Sequence, residues 1–258
     1  MKTLYVNGDS WTYGQELRDD TTDDLSYKFY NTWPWHVAQH FQIPQLVNEG
    51  QGGGSNDRIF RKTIDYVRNY KGKPSELLVI VAWTTYERLE LPVAVKRKHD
   101  NGYTEWESLD IEYTSMLMND IPDVKTGNDI NDKLILDYHK TRTMLNDSKV
   151  NSYKFFNQQW LLKQVCDNLG VKLLQTYALD NPEFVKGRPE ANTKWLDAIS
   201  PYPISFTRQL REVEHLEDVR APLRHPNEQG HKLIAKNVVA YLQQLSLIHI
   251  SEPTRRTI

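Results

Sequence analysis

At 258 residues the chain is long enough to bury one sizeable core, and no Pro/Gly/Ser-rich linker divides it, so it reads as one domain. The formal net charge is −2, with 32 Lys and Arg scattered among 34 Asp and Glu, which gives no electrostatic reason to expect nucleic acid or an anionic membrane as partner; small neutral ligands fit better. Cys166 is the only cysteine, which excludes an intrachain disulfide and a Cys-based metal cluster.

Met1-Lys2 runs straight into a short apolar stretch, Leu4-Tyr5-Val6, and no apolar segment approaches membrane-spanning length; the expectation is a soluble, cytoplasmic protein. That first stretch reads as a strand ending in Asn7-Gly8-Asp9-Ser10. Ser10 then sits just past the strand's carboxyl end, where open α/β sheets place their ligands. Gly, Asp and Ser are also ordinary turn residues, so the serine is a candidate nucleophile that needs partners. Gln15 to Tyr30 is acidic and irregular and reads as an exposed loop bordering the site.

A helix is expected from about Trp33-Pro34, capped by Asn31 or Thr32, with Trp35, Val37, Ala38 and Phe41 on its apolar side. His36 and His40 are four apart on it, a spacing that can bind metal, but no third ligand is evident, so no metal site is expected. Gln45-Leu46-Val47-Asn48 is a second strand opening into Glu49-Gly50-Gln51-Gly52-Gly53-Gly54-Ser55-Asn56. These glycines let a ligand approach backbone N–H groups. No Lys-Ser/Thr follows them and no acidic ribose partner is obvious, so neither a P-loop nor a dinucleotide site is expected, and no cofactor is implied.

A helix over about 56–70 leads to Glu76–Ala82, a continuous aliphatic run of the kind found in the middle of a parallel sheet. It ends in Trp83-Thr84-Thr85-Tyr86-Glu87-Arg88. From about 91 to 131 the periodicity is lost, which reads as an inserted lid or binding loop, or as a pair of hairpins. Helices are expected over 131–146 and 152–169, then a strand over 171–177 leading to Asp180-Asn181-Pro182. Near the end, His225-Pro226-Asn227 precedes an amphipathic helix carrying Leu233, Ile234, Val238, Val239 and Leu242. Asn227 can cap it, His225 lies just outside it, and His231 falls inside it with a packing or surface role. Residues 245–258 resemble the in-frame translation of a sequencing-library adapter, so the domain is taken as 1–244. The alternation of strands and helices gives an α/β fold, a three-layer α/β/α sandwich around a flavodoxin-like, doubly wound parallel sheet.

Three strand ends thus offer a serine, a glycine loop and a pair of threonines, and the last turn offers a histidine. Acyl transfer needs a nucleophile, a base and oxyanion donors. Together, Gly8-Asp9-Ser10, Asn48 with Gly53, and His225-Pro226-Asn227 resemble the SGNH, or GDSL-type, hydrolases over residues 1 to about 242. The resemblance implies a serine esterase or deacylase acting on small acyl esters. Ser10 would be the nucleophile, His225 the general base, and the N–H groups of Ser10 and Gly53 oxyanion donors. Two departures stand out. The family's Gly-x-Asn-Asp block reads Ala82-Trp83-Thr84-Thr85, which leaves Thr84 as the positional substitute for the third donor. The family's Asp three residues before the histidine is Pro222, so His225 works as a dyad with Ser10 or takes a distal acid, Asp218 or Asp180. Trp11, Tyr13, Trp83 and Tyr86 are candidate substrate-contacting rings, which favours O-acyl groups on a carbohydrate, an acylated glycan, as substrate. The alternative is a catalytically degenerate member that keeps the fold as a binding or structural module.

Overall fold

The computed structural model describes residues 1–17, 25–86, 88–95, 110–117, 148–179, 205–213, 215–222 and 224–251, with isolated helical residues between 133 and 141. Four strands form one parallel sheet: β1 (Thr3–Asn7), β2 (Gln45–Asn48), β3 (Leu77–Trp83) and β6 (Lys172–Tyr177), in the order β2-β1-β3-β6. The register sets Val6 beside both Asn48 and Ile80, and Trp83 beside Tyr177. Strands alternating with helices in this order make the flavodoxin-like, doubly wound arrangement that the alternation of elements predicts.

The two central strands, β1 and β3, are buried on both sides, and each side has its own helical cover. Leu4, Val6, Leu78, Ile80, Ala82 and Leu174 pack toward α3 (Trp33–His40), α6 (Phe206–Arg211) and α7 (Glu228–Ser251). Tyr5, Leu77, Val79, Val81 and Trp83 pack on the other face with α4 (Asn56–Asn69) and α5 (Ser148–Leu169). Residues two apart in a strand share a face, so β1 and β3 feed both cores and are buried along their whole length.

Two short helices complete the amino-terminal part, α1 (Ser10–Tyr13) and α2 (Leu25–Asn31). The latter corrects the expectation of an irregular loop as far as Tyr30. The inserted region holds an antiparallel hairpin, β4 (Arg88–Val95) with β5 (Asp110–Leu117), which is hydrogen-bonded apart from the main sheet. The helix expected over 131–146 and the Asp180 loop lie mostly or wholly outside the described residues. No described helix is long and apolar enough to cross a membrane.

Candidate functional site

The carboxyl ends of β1, β2 and β3 converge on one edge of the sheet, and the site is built there. At the end of β1, buried Asn7 gives its amide N–H groups to Tyr5 Oη, the Ile59 carbonyl and Thr63 Oγ1, and its Oδ1 takes the Gly8 N–H. The chain is thereby anchored just before it turns. Asp9 is the N-cap of α1: its Oδ1 accepts the Trp11 N–H at 3.0 Å. Such caps are worth about 0.5–2 kcal/mol. Ser10 begins the helix, and Gly14 ends it with φ of 85°.

The glycine loop after β2 lies against this turn. Asn48 gives its Nδ2–H to the Thr12 carbonyl and takes the Gly50 N–H on Oδ1. The Gln51 N–H reaches the Gly8 carbonyl at 3.2 Å. Gly50 is required here by close approach, because a Cβ on it would stand 2.7 Å from the Tyr13 nitrogen and 2.8 Å from the Thr12 carbonyl carbon. Gly53 has φ of 70° and open space where a Cβ would be; among the described residues no acceptor meets its N–H. Ser55 then caps α4 by accepting the Arg58 N–H.

His225 arrives from the other end of the chain. Its turn is closed by Ala221 N–H to the His225 carbonyl at 2.8 Å and Arg224 N–H to the Ala221 carbonyl at 2.9 Å. A bridge between Arg220 and Pro226 continues it, with the Arg220 guanidinium 5.8 Å from the centre of the Trp11 ring. Asn227 caps α7, its Oδ1 accepting the N–H groups of Gln229 and Gly230. Behind it, fully buried His231 accepts the Trp33 N–H on Nδ1 and ties α7 to the start of α3. Burial, with His36 and His225 nearby, pushes its pKa down to about 3.

These supports bring Ser10 Oγ within 3.0 Å of His225 Nε2. His225 Nδ1 lies 2.7 Å from Glu16 Oε2, which also takes the His225 backbone N–H at 3.1 Å. An ionised carboxylate only accepts, so in the neutral ring Nδ1 carries the proton and the Nε2 lone pair faces the serine hydroxyl. The arrangement can therefore pass a proton from Oγ to an imidazole whose ring is held by a carboxylate. Glu16 (φ 67°) and Arg224 (φ 77°) both occupy the left-handed region without being glycine. Such strain is of the order of 1–3 kcal/mol each and gathers at functional sites.

Several expected site residues stand elsewhere. Asp218 is not the acid that meets His225: it sits in a short 3₁₀ turn and offers its backbone carbonyl to Asn227, while Glu16 occupies Nδ1. Asp180 lies outside the described residues. Thr84 is fully buried and its one hydroxyl proton goes to Asp9 Oδ2 at 2.7 Å, so it is not free to serve as an oxyanion donor. Of the four rings expected at the substrate, Trp83 is wholly buried with its Nε1–H on Gln175 Oε1, and Trp11 and Tyr86 are core residues. Only Tyr13, 37 % exposed, presents its ring to solvent. Sequence reasoning missed Glu16, whose signal was an acid six residues after the serine. It also missed Arg88, whose Nη1 lies 3.1 Å from Asp9 Oδ2.

Among the described residues no group of three or more His, Cys, Asp or Glu is arranged to hold a metal ion. His40 faces Gln243 on α7.

The sequence model of DUF6071, a family of unknown function, matches residues 15–255. No curated protein matches the chain. Among solved structures, a lipolytic protein of the G-D-S-L family from Desulfitobacterium hafniense is similar at TM-score 0.50 and 13 % identity, over 93 % of this chain and 99 % of that one. A G-D-S-L family lipolytic protein from Veillonella parvula aligns at TM-score 0.50 and 12 % identity, over 92 % and 96 %. The psychrotrophic esterase EstA from Pseudoalteromonas does so at TM-score 0.50 and 10 % identity, over 95 % and 98 %. At these identities the likeness concerns the fold, which is SGNH/GDSL-like.

Proposed function

The chain belongs to the DUF6071 family, and we propose that it is a serine esterase or deacylase acting on small acyl esters through an acyl-enzyme. The observation that carries this reading is the hydrogen-bonded series Ser10 Oγ, His225 Nε2, His225 Nδ1, Glu16 Oε2, with spacings of 3.0 and 2.7 Å. Ser10 Oγ attacks the ester carbonyl carbon while its proton passes to Nε2. The carbonyl electron pair moves onto oxygen, and the N–H groups of Ser10 and Gly53 donate hydrogen bonds to that oxyanion. Collapse expels the alcohol, which takes the proton from Nε2. Water repeats the sequence on the acyl-Ser10 ester and releases the acid. Glu16 is the distal acid of this triad. With three of the four candidate rings in the core, the reading names no sugar in the substrate.

The test is covalent labelling of the purified protein by a fluorophosphonate. Labelling at Ser10, lost in Ser10→Ala together with hydrolysis of 4-nitrophenyl acetate, is the expected result; folded protein that neither labels nor hydrolyses sinks the proposal. That negative result would favour the second reading, a binding module on the same fold. The observation behind the second reading is that Thr84, standing where the family pattern has its donor Asn, spends its hydroxyl on Asp9.

A further inference from the structure

We propose that Arg88 supplies the third oxyanion donor, in the place that the GDSL pattern gives to an asparagine. This rests on the acyl-transfer reading and deepens it. Thr84 has no donor left for a ligand. Its hydroxyl proton lies on Asp9 Oδ2, its N–H on Asn56 Oδ1 at 2.9 Å, and its carbonyl takes an Asn56 Nδ2–H at 3.1 Å. The asparagine itself is thus also committed, since the same Nδ2 reaches the Thr85 carbonyl at 3.3 Å.

Arg88, the first residue of β4, fills the space beside them. Its Nη1 donates to Asp9 Oδ2 at 3.1 Å and to the Gly54 carbonyl at 3.4 Å. Asp9 directly precedes Ser10 and Gly54 directly follows Gly53. The guanidinium therefore spans the two segments whose N–H groups are assigned to the oxyanion. A guanidinium has five N–H donors; on Arg88 the Nε–H is buried and meets no acceptor. The side chain is 14 % exposed and its charge is balanced by wholly buried Asp9. Such a cation can stay in a dry site and gain most when negative charge develops beside it. Arginine keeps its protons throughout, so it acts by hydrogen bonding and takes no part in proton transfer.

The experiment compares wild type, Arg88→Met and Arg88→Lys for kcat and KM on 4-nitrophenyl acetate, and for affinity to butaneboronic acid, which forms a tetrahedral anion on a nucleophilic serine. For Arg88→Met the expected result is a kcat lower by about 10²–10³ with KM within about threefold. Boronate affinity should weaken by a similar factor, and Arg88→Lys should recover part of each. If Arg88 only braces Asp9, the melting temperature falls while kcat per folded molecule and boronate affinity stay put, and the assignment is overturned. Should Arg88→Met not fold, Arg88→Lys decides: wild-type kcat and boronate affinity in the folded variant overturn it equally. Wild-type protein inert to both the ester and a fluorophosphonate removes the acyl-transfer reading itself, and this assignment with it.

Discussion

One oxygen of Glu16, Oε2, accepts both the Nδ1–H and the backbone N–H of His225, at 2.7 and 3.1 Å. Fixing the ring and the main chain at once sets the rotation of the imidazole and the path of the turn that carries it. The acid stands on the same short segment as the serine, six positions on, instead of in the histidine's own turn.

Replacing that carboxylate by an amide should therefore act on turnover. Glu16→Gln replaces an acceptor-only carboxylate by an uncharged amide that can also donate, so the Nδ1–H tautomer is no longer fixed; the comparable Asp-to-Asn change in a Ser-His-Asp triad lowers kcat by about 10⁴. A fall of at least about 10² in kcat on 4-nitrophenyl acetate, with the far-UV spectrum unchanged, is the expected outcome. Activity within a few-fold of wild type would remove Glu16 from the triad.

An aspartate three residues before the histidine, where the GDSL pattern has one, should not compensate. Pro222 is exposed, at the second position of the turn closed by Arg224 N–H and the Ala221 carbonyl. The double variant Glu16→Gln/Pro222→Asp is expected to be as inactive as Glu16→Gln alone. Recovery of activity would mean that this turn readily refolds to offer a carboxylate.

Gly50→Ala should destabilise the fold and the site together. Its Cβ would press on the backbone at Thr12 and Tyr13, the last residues of α1, and backbone cannot step aside as a side-chain tip can. A loss of about 1–3 kcal/mol is expected from such overpacking, read as a lower urea midpoint. A substitution that leaves the midpoint unmoved would show that the glycine loop has slack.

Trp83→Phe should change stability and leave KM alone, because the indole is core and Gln175 Oε1 loses its donor. The cost of an unpaired buried acceptor is about 1–3 kcal/mol. A shifted KM at unchanged stability would return Trp83 to the substrate site.

His231 makes stability depend on pH. Its folded-state pKa is lowered from 6.5 to about 3, so at intermediate pH the unfolded chain binds the extra proton. Stability is fully present above the unfolded value and declines as pH falls from about 6.5 toward 3. Measuring urea midpoints across that window for wild type and His231→Gln tests this; an equal slope in both proteins would assign the acid sensitivity to other groups.

How much of this could be read from the chain depended on whether the signal was carried by residue type or by backbone direction. The buried strand Leu77–Trp83 and the cap at Asn227 announce themselves through aliphatic continuity and a side-chain oxygen before a helix. The inserted stretch reads as a loop or as hairpins because its signals conflict: Leu89, Leu91, Val93 and Val95 alternate along β4, but a proline within a strand, Pro92, argues against one. It is accommodated in a two-stranded ribbon outside the main sheet. Glu16 was hidden among Asp19, Asp20, Asp23 and Asp24, and what singles it out is a left-handed backbone that glutamate does not advertise. Thr84 lies at the expected strand end, yet its hydroxyl turns to Asp9 because the buried carboxylate needs donors. The aromatic residues after the strand ends were legible as large and apolar; their burial depended on which core would receive them.

The separation of 209 residues between Glu16 and His225 has a consequence for biosynthesis. The ribosome adds the histidine 209 positions after the acid, so the serine and its acid emerge together and wait without a base. Capture of the imidazole coincides with docking of the last helix. Fluorophosphonate reactivity of nascent or truncated chains would then be a clock for completion of the domain.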